Sequence, residues 1–414
     1  METSTILDRL QVFNDQQQHL PEEIHHVLND AVLAAYQKMV YASRDLLGGL
    51  DDSKHTKEQV KALISICPEA LAQKDNFGHG LLPIQKAALH NSVDSNHAHA
   101  CCRVDSGIPF IPMLAQEGIQ RQIGGKDSRG GLLATYDSSS GSFDESSNGS
   151  EDYSEHDFNV IQKLCVQMKA KDNESMKRCL ETIKTLISMN LLRKEDVIDH
   201  DLLYLSSWSF ASGCNRSMLF SFLVNWNPEA LKSFHRGQLP IHSAAEYNEE
   251  SFRHILRAGV HYFADDLGFL FTRNDDNETA IARGIRTLKP NLLMNIVQQC
   301  IPPDANYPIL HQVIRHEPQL IGHFSPRYPI SMYKRDLDGR LPLHVALDCG
   351  MKWSVHLVLM INSTDNHVQK KKDPVTKLPL FLLAAAGENS DLMATYHLMR
   401  RHPDVLEKCF PGHY

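Results

Sequence analysis

The densest group of chemically able side chains is Asp336–Gly350, "DLDGRLPLHVALDCG", with a histidine, three aspartates and a cysteine in fifteen residues. A thiol and an imidazole this close suggest a Cys–His nucleophile. That chemistry needs the sulfur within hydrogen-bond reach of the ring and a third group to orient the imidazole. A helix starting at Pro342 puts His344 and Asp348 one turn apart on the same side and points Cys349 elsewhere, so the pairing is not encoded locally. A second cluster, "HAHACC", holds His97, His99, Cys101 and Cys102. Two imidazoles and two thiols suit zinc. Structural zinc sites, however, space their ligands in pairs separated by a loop, and adjacent cysteines point apart. A metal-binding regulatory protein is therefore the alternative reading, against a plain turn between two helices. The glycine-rich stretch within 107–131 lacks the Gly-x-x-x-x-Gly-Lys-[Ser/Thr] order of a phosphate loop. The serine-hydrolase, zinc-protease and dinucleotide fingerprints are missing too, so an enzyme would need a Cys/His site that no motif announces.

Whether these residues act or merely support depends on what carries them, and the carrier repeats. "GLLPIQKAALH" (80–90), "GQLPIHSAAEY" (237–247), "GRLPLHVALDC" (339–349) and "KLPLFLLAAAG" (377–387) share Leu-Pro-[Ile/Leu], followed by x-x-Ala in the first three and by an alanine one place later in the last, usually with a glycine two places earlier. A second phrase, Leu-x-x-x-x-Pro-[Glu/Asp]-[Ala/Val]-Leu, recurs as "LISICPEAL" (63–71), "LVNWNPEAL" (223–231) and "LMRRHPDVL" (398–406), more loosely as "VIRHEPQL" (313–320). Weaker copies, "NETAIARGI" and "NYPILHQVI", fill the interval. Taking Leu239, Thr279, Tyr307, Leu341 and Leu378 as equivalent gives steps of 40, 28, 34 and 37 residues. Their mean is close to the period of about 33 expected for one turn plus two helices.

Each position has a physical reading. Gly237 and Gly339 permit positive φ in a tight turn, with Thr376 standing at that place in the last copy. Pro240, Pro342 and Pro379 suit the first helical position, where a missing N–H costs nothing. Alanines after them let one helix press against the next. A second amphipathic helix follows, as in "ESFRHILRAGV" with Phe252, Ile255, Leu256 and Val260 at helical spacing. The Pro-Glu-Ala-Leu phrase ends that helix and launches an extended link. No such unit buries its apolar face alone, so the units must stack.

The phrase Asp336-x-x-Gly339-x-Leu341-Pro342-Leu343-His344-x-Ala346 resembles the signature of ankyrin repeats, with leucine where threonine is usual. The resemblance covers residues 198–414 and, less fully, 57–123. It implies an all-α solenoid of stacked helix-turn-helix repeats with hairpin or extended links, in a divergent subfamily. It makes the histidines His242 and His344 structural, bonding neighbouring backbone. Gln85 and Phe381 stand in the same place in other copies, as catalysis would not predict. The implied activity is non-catalytic binding of an unidentified protein partner, without cofactor. The contacts lie at the hairpin tips (His235, Arg236, Gln238, Asp338, Arg340 and Lys377) and on the first helices (Glu246, Tyr247, Asp348 and Cys349). Tyr247 and Arg340 are the foremost of these.

The remaining organisation follows from composition. Residues 1–56 read as an N-terminal helical cap starting near Pro21, with Ile24, Val27, Leu28, Val32, Ala35 and Met39 on one face. Divergent repeats occupy 57–123, a Gly-rich then acidic Ser-rich disordered loop 124–157, and the main array 158–414. Asp137–Glu155 holds six acids and no base, which leaves the rest of a chain of net charge −8 nearly neutral. No basic surface for nucleic acid is expected, while Ser142, followed by Asp144 and Glu145, is a candidate phosphorylation site. The most apolar run, Leu202–Trp226, is interrupted by Gly213, Asn215 and Arg216, and reads as two short helices rather than a membrane span. Nine scattered cysteines and the lack of a secretory leader point to reduced thiols in the cytoplasm or nucleus. The last repeat has no evident polar cap, which leaves room for self-association there.

Overall fold

The computed structural model describes residues 12, 22–74, 80–88, 107–135, 158–166, 173–208, 217–247, 249–304, 307–386 and 388–409. Among these the chain is all-helical. It has no strand, and its β-pairing amounts to isolated bridges at two turns, His235 with Gln238 and Arg273 with Thr279. It divides into two compact units, Met1–Asn227 and Pro228–Tyr414. The division falls inside the stretch 158–414 that the sequence presents as one array.

The first unit contains α1 (Glu22–Gly48), α2 (Lys57–Ile66), α3 (Pro83–Ala87), α4 (Ile111–Gln120), α5 (Val160–Val166), α6 (Asn173–Ser188), α7 (Asp196–Asp199), α8 (Leu202–Trp208) and α9 (Ser217–Trp226). Helix α1 starts where Pro21 predicts, but its expected apolar stripe is largely uncovered: Val27 is 68% exposed and Ile24 50%. Burial begins at Val40 and is complete at Leu47, where α1 meets α3 and the 3-10 turn Pro68–Leu71. Helices α8 and α9 are the two short helices expected of 202–226, and no helix among the described residues is long and apolar enough to cross a membrane.

The glycine-rich stretch corrects the expectation of disorder from residue 124, because 128–134 is packed although 124–127 are exposed. Leu132 is fully buried, Arg129 pairs with Asp196, and Gly130 lies so close to α4 that a Cβ there would sit 2.1 Å from the Ala115 carbonyl. The acidic segment 137–155 with Ser142, and the cluster His97, His99, Cys101 and Cys102, lie outside the described residues.

The second unit is a series of helix pairs: α10 (Pro240–Tyr247) with α11 (Glu249–Tyr262), α12 (Ala280–Thr287) with α13 (Pro290–Cys300), α14 (Ile309–His316) with α15 (Ile321–Phe324), and α16 (Pro342–Asp348) with α17 (Val355–Asn362). After α18 (Asn366–Gln369) come α19 (Leu380–Ala385) with α20 (Leu392–Arg401), and then α21 (Pro403–Cys409). First helices stack on first helices, as α10 on α12 and α14 on α16 and then α19, while second helices stack as α11 on α13 and α15 on α17. The second and third pairs are joined by buried hydrogen bonds, Thr279 Oγ1 to Glu317 Oε1 (2.7 Å) and Tyr328 Oη to the Ile301 carbonyl (2.8 Å). Phe252, Ile255, Leu256 and Val260 are buried as their spacing predicts.

First helices start at Pro240, Ala280, Ile309, Pro342 and Leu380, so the steps are 40, 29, 33 and 38 residues. Two copies thus sit one residue off the sequence alignment: Pro308 and Pro379 are the residues before their helices, not the first within them. The second phrase also behaves differently from expectation. The residue before its proline leaves helical geometry (Cys67 φ −134°, ψ 70°; Glu317 −142°, 61°; His402 −132°, 65°), as clash with the proline ring demands. The proline then opens a new helical turn, Pro68–Leu71, Pro228–Lys232, Pro318–Leu320 or α21, instead of an extended link.

Candidate partner-binding face

The hairpin tips and the starts of the first helices are built by one repeated device. Leu341, the residue before α16, has no side-chain acceptor, so a neighbouring group must satisfy its own buried backbone. Its N–H donates to His344 Nδ1 (3.1 Å), and the His344 N–H donates to the Leu341 carbonyl (2.9 Å). With Nδ1 accepting, the proton sits on Nε2, which donates across to the carbonyl of Lys371, just before the next tip (3.1 Å). His242 does the same between Leu239 and the Thr272 carbonyl (3.2 and 3.0 Å). In the first unit Gln85 reproduces both bonds with an amide: Oε1 accepts from Leu82 N–H (2.8 Å) and Nε2 donates to the Ala134 carbonyl (3.0 Å).

A histidine the sequence reading passed over, His311, donates from Nε2 to the Arg340 carbonyl (2.9 Å), but its buried Nδ1 has no partner. The cause is Pro308: the residue before α14 has no N–H to give. Where threonine returns, at Thr279, its own hydroxyl accepts the Ala282 N–H (3.2 Å) and no histidine is used. Burial lowers the pKa of His242, His311 and His344, so all three are held neutral.

The tips themselves are tight turns. His235 and Gln238 exchange both backbone hydrogen bonds around Arg236 and Gly237, each at positive φ. Asp336 Oδ1 accepts the N–H groups of Asp338 and Arg340 (3.1 and 2.8 Å), with Gly339 at φ 76°. In the last copy the turn takes one more residue, so positive φ falls on Lys377 (62°) and not on Thr376, whose N–H and hydroxyl instead bond Asp373.

The proposed contact residues divide into two groups. Arg236, Glu246, Asp338, Asp348, Cys349 and Lys377 are exposed, and His235 and Gln238 half-buried. Tyr247 closes α10, and its side chain lies outside what is described. Arg340 is the correction: it is buried, and its guanidinium is already engaged. Nε and Nη2 form a fork on the two Asp373 oxygens (3.0 Å each), and Nη1 donates to Asp348 Oδ2 (2.7 Å). Residue type and tip position gave Arg340 the look of a contact, but Asp373, which the repeat phrase does not include, claims it.

Arg283, at a variable place of the weak copy "NETAIARGI", gathers two predicted residues in the same way. It donates to Gln238 Oε1 (2.9 Å), Glu246 Oε2 (3.2 Å) and Glu278 Oε2 (3.0 Å) beside an open depression of about 450 Å³ lined by Arg273, Asp276 and Arg286. Two exposed tip residues are apolar ones that sequence reading missed. Leu337 is 106% exposed, more than in an extended reference chain, and Val375 is 54%.

Both His344 nitrogens are committed to backbone, and desolvation, with the Asp348 carboxylate beside it, raises the Cys349 thiol pKa. No group of three or more His, Cys, Asp or Glu side chains among the described residues could hold a metal ion. Cys67, Cys165, Cys179 and Cys300 are buried, and Cys349 is exposed. No family model matches the chain, and no curated protein does either.

Proposed function

We propose that this chain is a divergent ankyrin-type helical-repeat protein, and that it works as a non-catalytic scaffold binding a protein partner along its hairpin tips and first helices. The observation that carries this reading is the histidine or glutamine lock. The same pair of bonds recurs at Gln85, His242 and His344, each fixing one helix start to the next turn. Within the second unit such a lock ties neighbouring tips together, which lowers the ordering cost of binding along them. The side chains best placed for contact are exposed: Leu337, Val375 and Asp338, with Lys377, whose Nζ also donates to the Pro374 carbonyl (2.7 Å). Arg340→Glu is an unsuitable probe, because it would set three carboxylates against one another.

The test is quantitative affinity capture from source-cell extract, with cross-links mapped to the chain. Intact protein is compared with Leu337→Asp/Val375→Asp after circular dichroism has shown equal folding. A protein retained by the intact chain, cross-linked at the tips and lost by the variant supports the scaffold. Capture that ignores the variant removes the tips from the interface. Self-association through the last repeat is a second reading, favoured by Leu392 and Met393, which are 83% and 56% exposed on α20. Sedimentation velocity showing a monomer at every concentration would remove it.

A further inference from the structure

Away from the tips, α17 and α20 enclose a groove that the scaffold reading does not use. Ala394, Thr395 and Leu398 turn inward from α20, which leaves His397, Arg400 and Arg401 on a common outer face at i, i+3 and i+4 spacing. Trp353 enters from the neighbouring hairpin. Its N–H donates to Asp391, the cap of α20, and its ring lies flat on the His397 imidazole, with centroids 4.2 Å apart and planes at 9°. Tyr396 meets the same imidazole edge-on at 5.4 Å. Val358 and Ile361 form an apolar floor, and Arg401 is held across the groove by Asn362 Oδ1 (2.7 Å). The groove is about 320 Å³, room for one or two side chains and too little to enclose a larger ligand.

Its charge is one-sided. No acid lines it, and neither Arg400 nor Arg401 has an ion pair among the described residues. The nearest carboxylates are already committed, Asp391 to backbone N–H groups and Asp404 to Lys370. Arginine in the last turn of a helix offsets the helix dipole, but that would not require an aromatic stack and an apolar floor beside it. Tryptophan, tyrosine and arginine around a small apolar floor are the residue types that dominate binding energy at protein interfaces.

We propose that this groove binds an acidic peptide segment, with one apolar side chain on Val358 and Ile361 against the Trp353 ring and flanking carboxylates on Arg400 and Arg401. This surface is separate from the tip contacts, and its test is independent of theirs. Fluorescein-labelled Ac-Glu-Glu-Leu-Asp-Glu-NH2 and its lysine counterpart Ac-Lys-Lys-Leu-Lys-Lys-NH2 are titrated with the full chain and followed by anisotropy. The acidic peptide binds, the lysine peptide does not, and added salt weakens binding. Arg400→Glu/Arg401→Gln reduces affinity about tenfold or more, given the strength of charge-assisted hydrogen bonds, while Leu337→Asp leaves it unchanged. Arg400→Glu alone serves if the double variant folds poorly, since Arg400 makes no side-chain bond among the described residues. Equal binding by wild type and the arginine variants, preference for the lysine peptide, or no binding of the acidic peptide would each overturn the proposal. Tighter binding of a single-stranded oligonucleotide than of the peptide would overturn it as well.

Discussion

At His344 two bonds leave no ring nitrogen free, and Gln85 shows that an amide makes the same two bonds. The position therefore selects for an acceptor and a donor held a fixed distance apart, not for an imidazole's acid–base chemistry. His344→Gln should cost little, within about 1 kcal/mol. His344→Ala strands the buried Leu341 N–H and the Lys371 carbonyl and should cost about 1–3 kcal/mol. Urea denaturation of the two variants checks the difference, and equal losses would show that ring packing, not hydrogen bonding, is what the site requires. The same logic explains His311, whose Nδ1 is stranded by Pro308. It also bears on the last copy: with Pro379 before α19, the lock place falls on Leu382 and not on Phe381, and Pro379 has no N–H for a side chain there to accept.

The turns set the register of the helix pairs, and glycine positions that look equivalent in sequence differ in their surroundings. Gly339, at φ 76°, has open space around it, the nearest atom to an added Cβ being 3.7 Å away on Pro374. Gly339→Ala should therefore cost only the left-handed backbone, about 1–2 kcal/mol. At Gly237 (φ 71°) the added Cβ would lie 2.2 Å from Asp275 Oδ2 and 2.8 Å from Asp275 Cβ, so the adjacent tip, which bonds the Gly237 carbonyl, must move too. Gly237→Ala should be the more destabilising of the two in thermal unfolding; the reverse order would mean that the tip contact carries no strain. These contrasts mark how far the sequence was legible. Helix pairs, buried faces and the structural histidines follow from period and phrase, because local chemistry determines them. The partners Asp373 for Arg340 and Arg283 for Glu246 do not, because they come from other repeats, Asp373 outside the phrase and Arg283 at one of its variable places. The one-residue shifts at Pro308 and Pro379 were hidden since proline fits both before and at the start of a helix. The packed loop at 128–134 read as disordered because composition does not report the close approach of Gly130 to α4.

Across the second unit, stability is shared between repeats through bonds that a single repeat cannot make. The Arg340–Asp373 fork joins one tip to the next, and the Asp373 side chain is fully buried. Arg340→Ala would leave that carboxylate uncompensated and should cost about 3–5 kcal/mol, whereas replacing both partners by apolar residues of similar size should cost far less. The pH dependence of the whole molecule follows from the same buried groups. Burial depresses His242, His311 and His344 below the free imidazole value of about 6.5. Below that pH the unfolded chain binds more protons than the folded one, so their stabilisation is complete above about 6.5 and declines as pH falls toward the depressed folded values. Asp373 acts in a lower window. Burial alone would raise its pKa, but the Arg340 fork and Thr376 outweigh burial and bring it to about 2. Its contribution is present above the free carboxyl value of about 4 and is lost between about 4 and about 2. Urea midpoints should therefore fall from neutral to acid pH along two limbs. The triple variant His242→Gln/His311→Gln/His344→Gln should flatten the upper limb without abolishing it, because burial also lowers His316 and His402. The lower limb should stay where it is. An upper limb as steep in the variant as in the wild type would assign that protonation to other groups and detach the histidine lock from the acid sensitivity of the array.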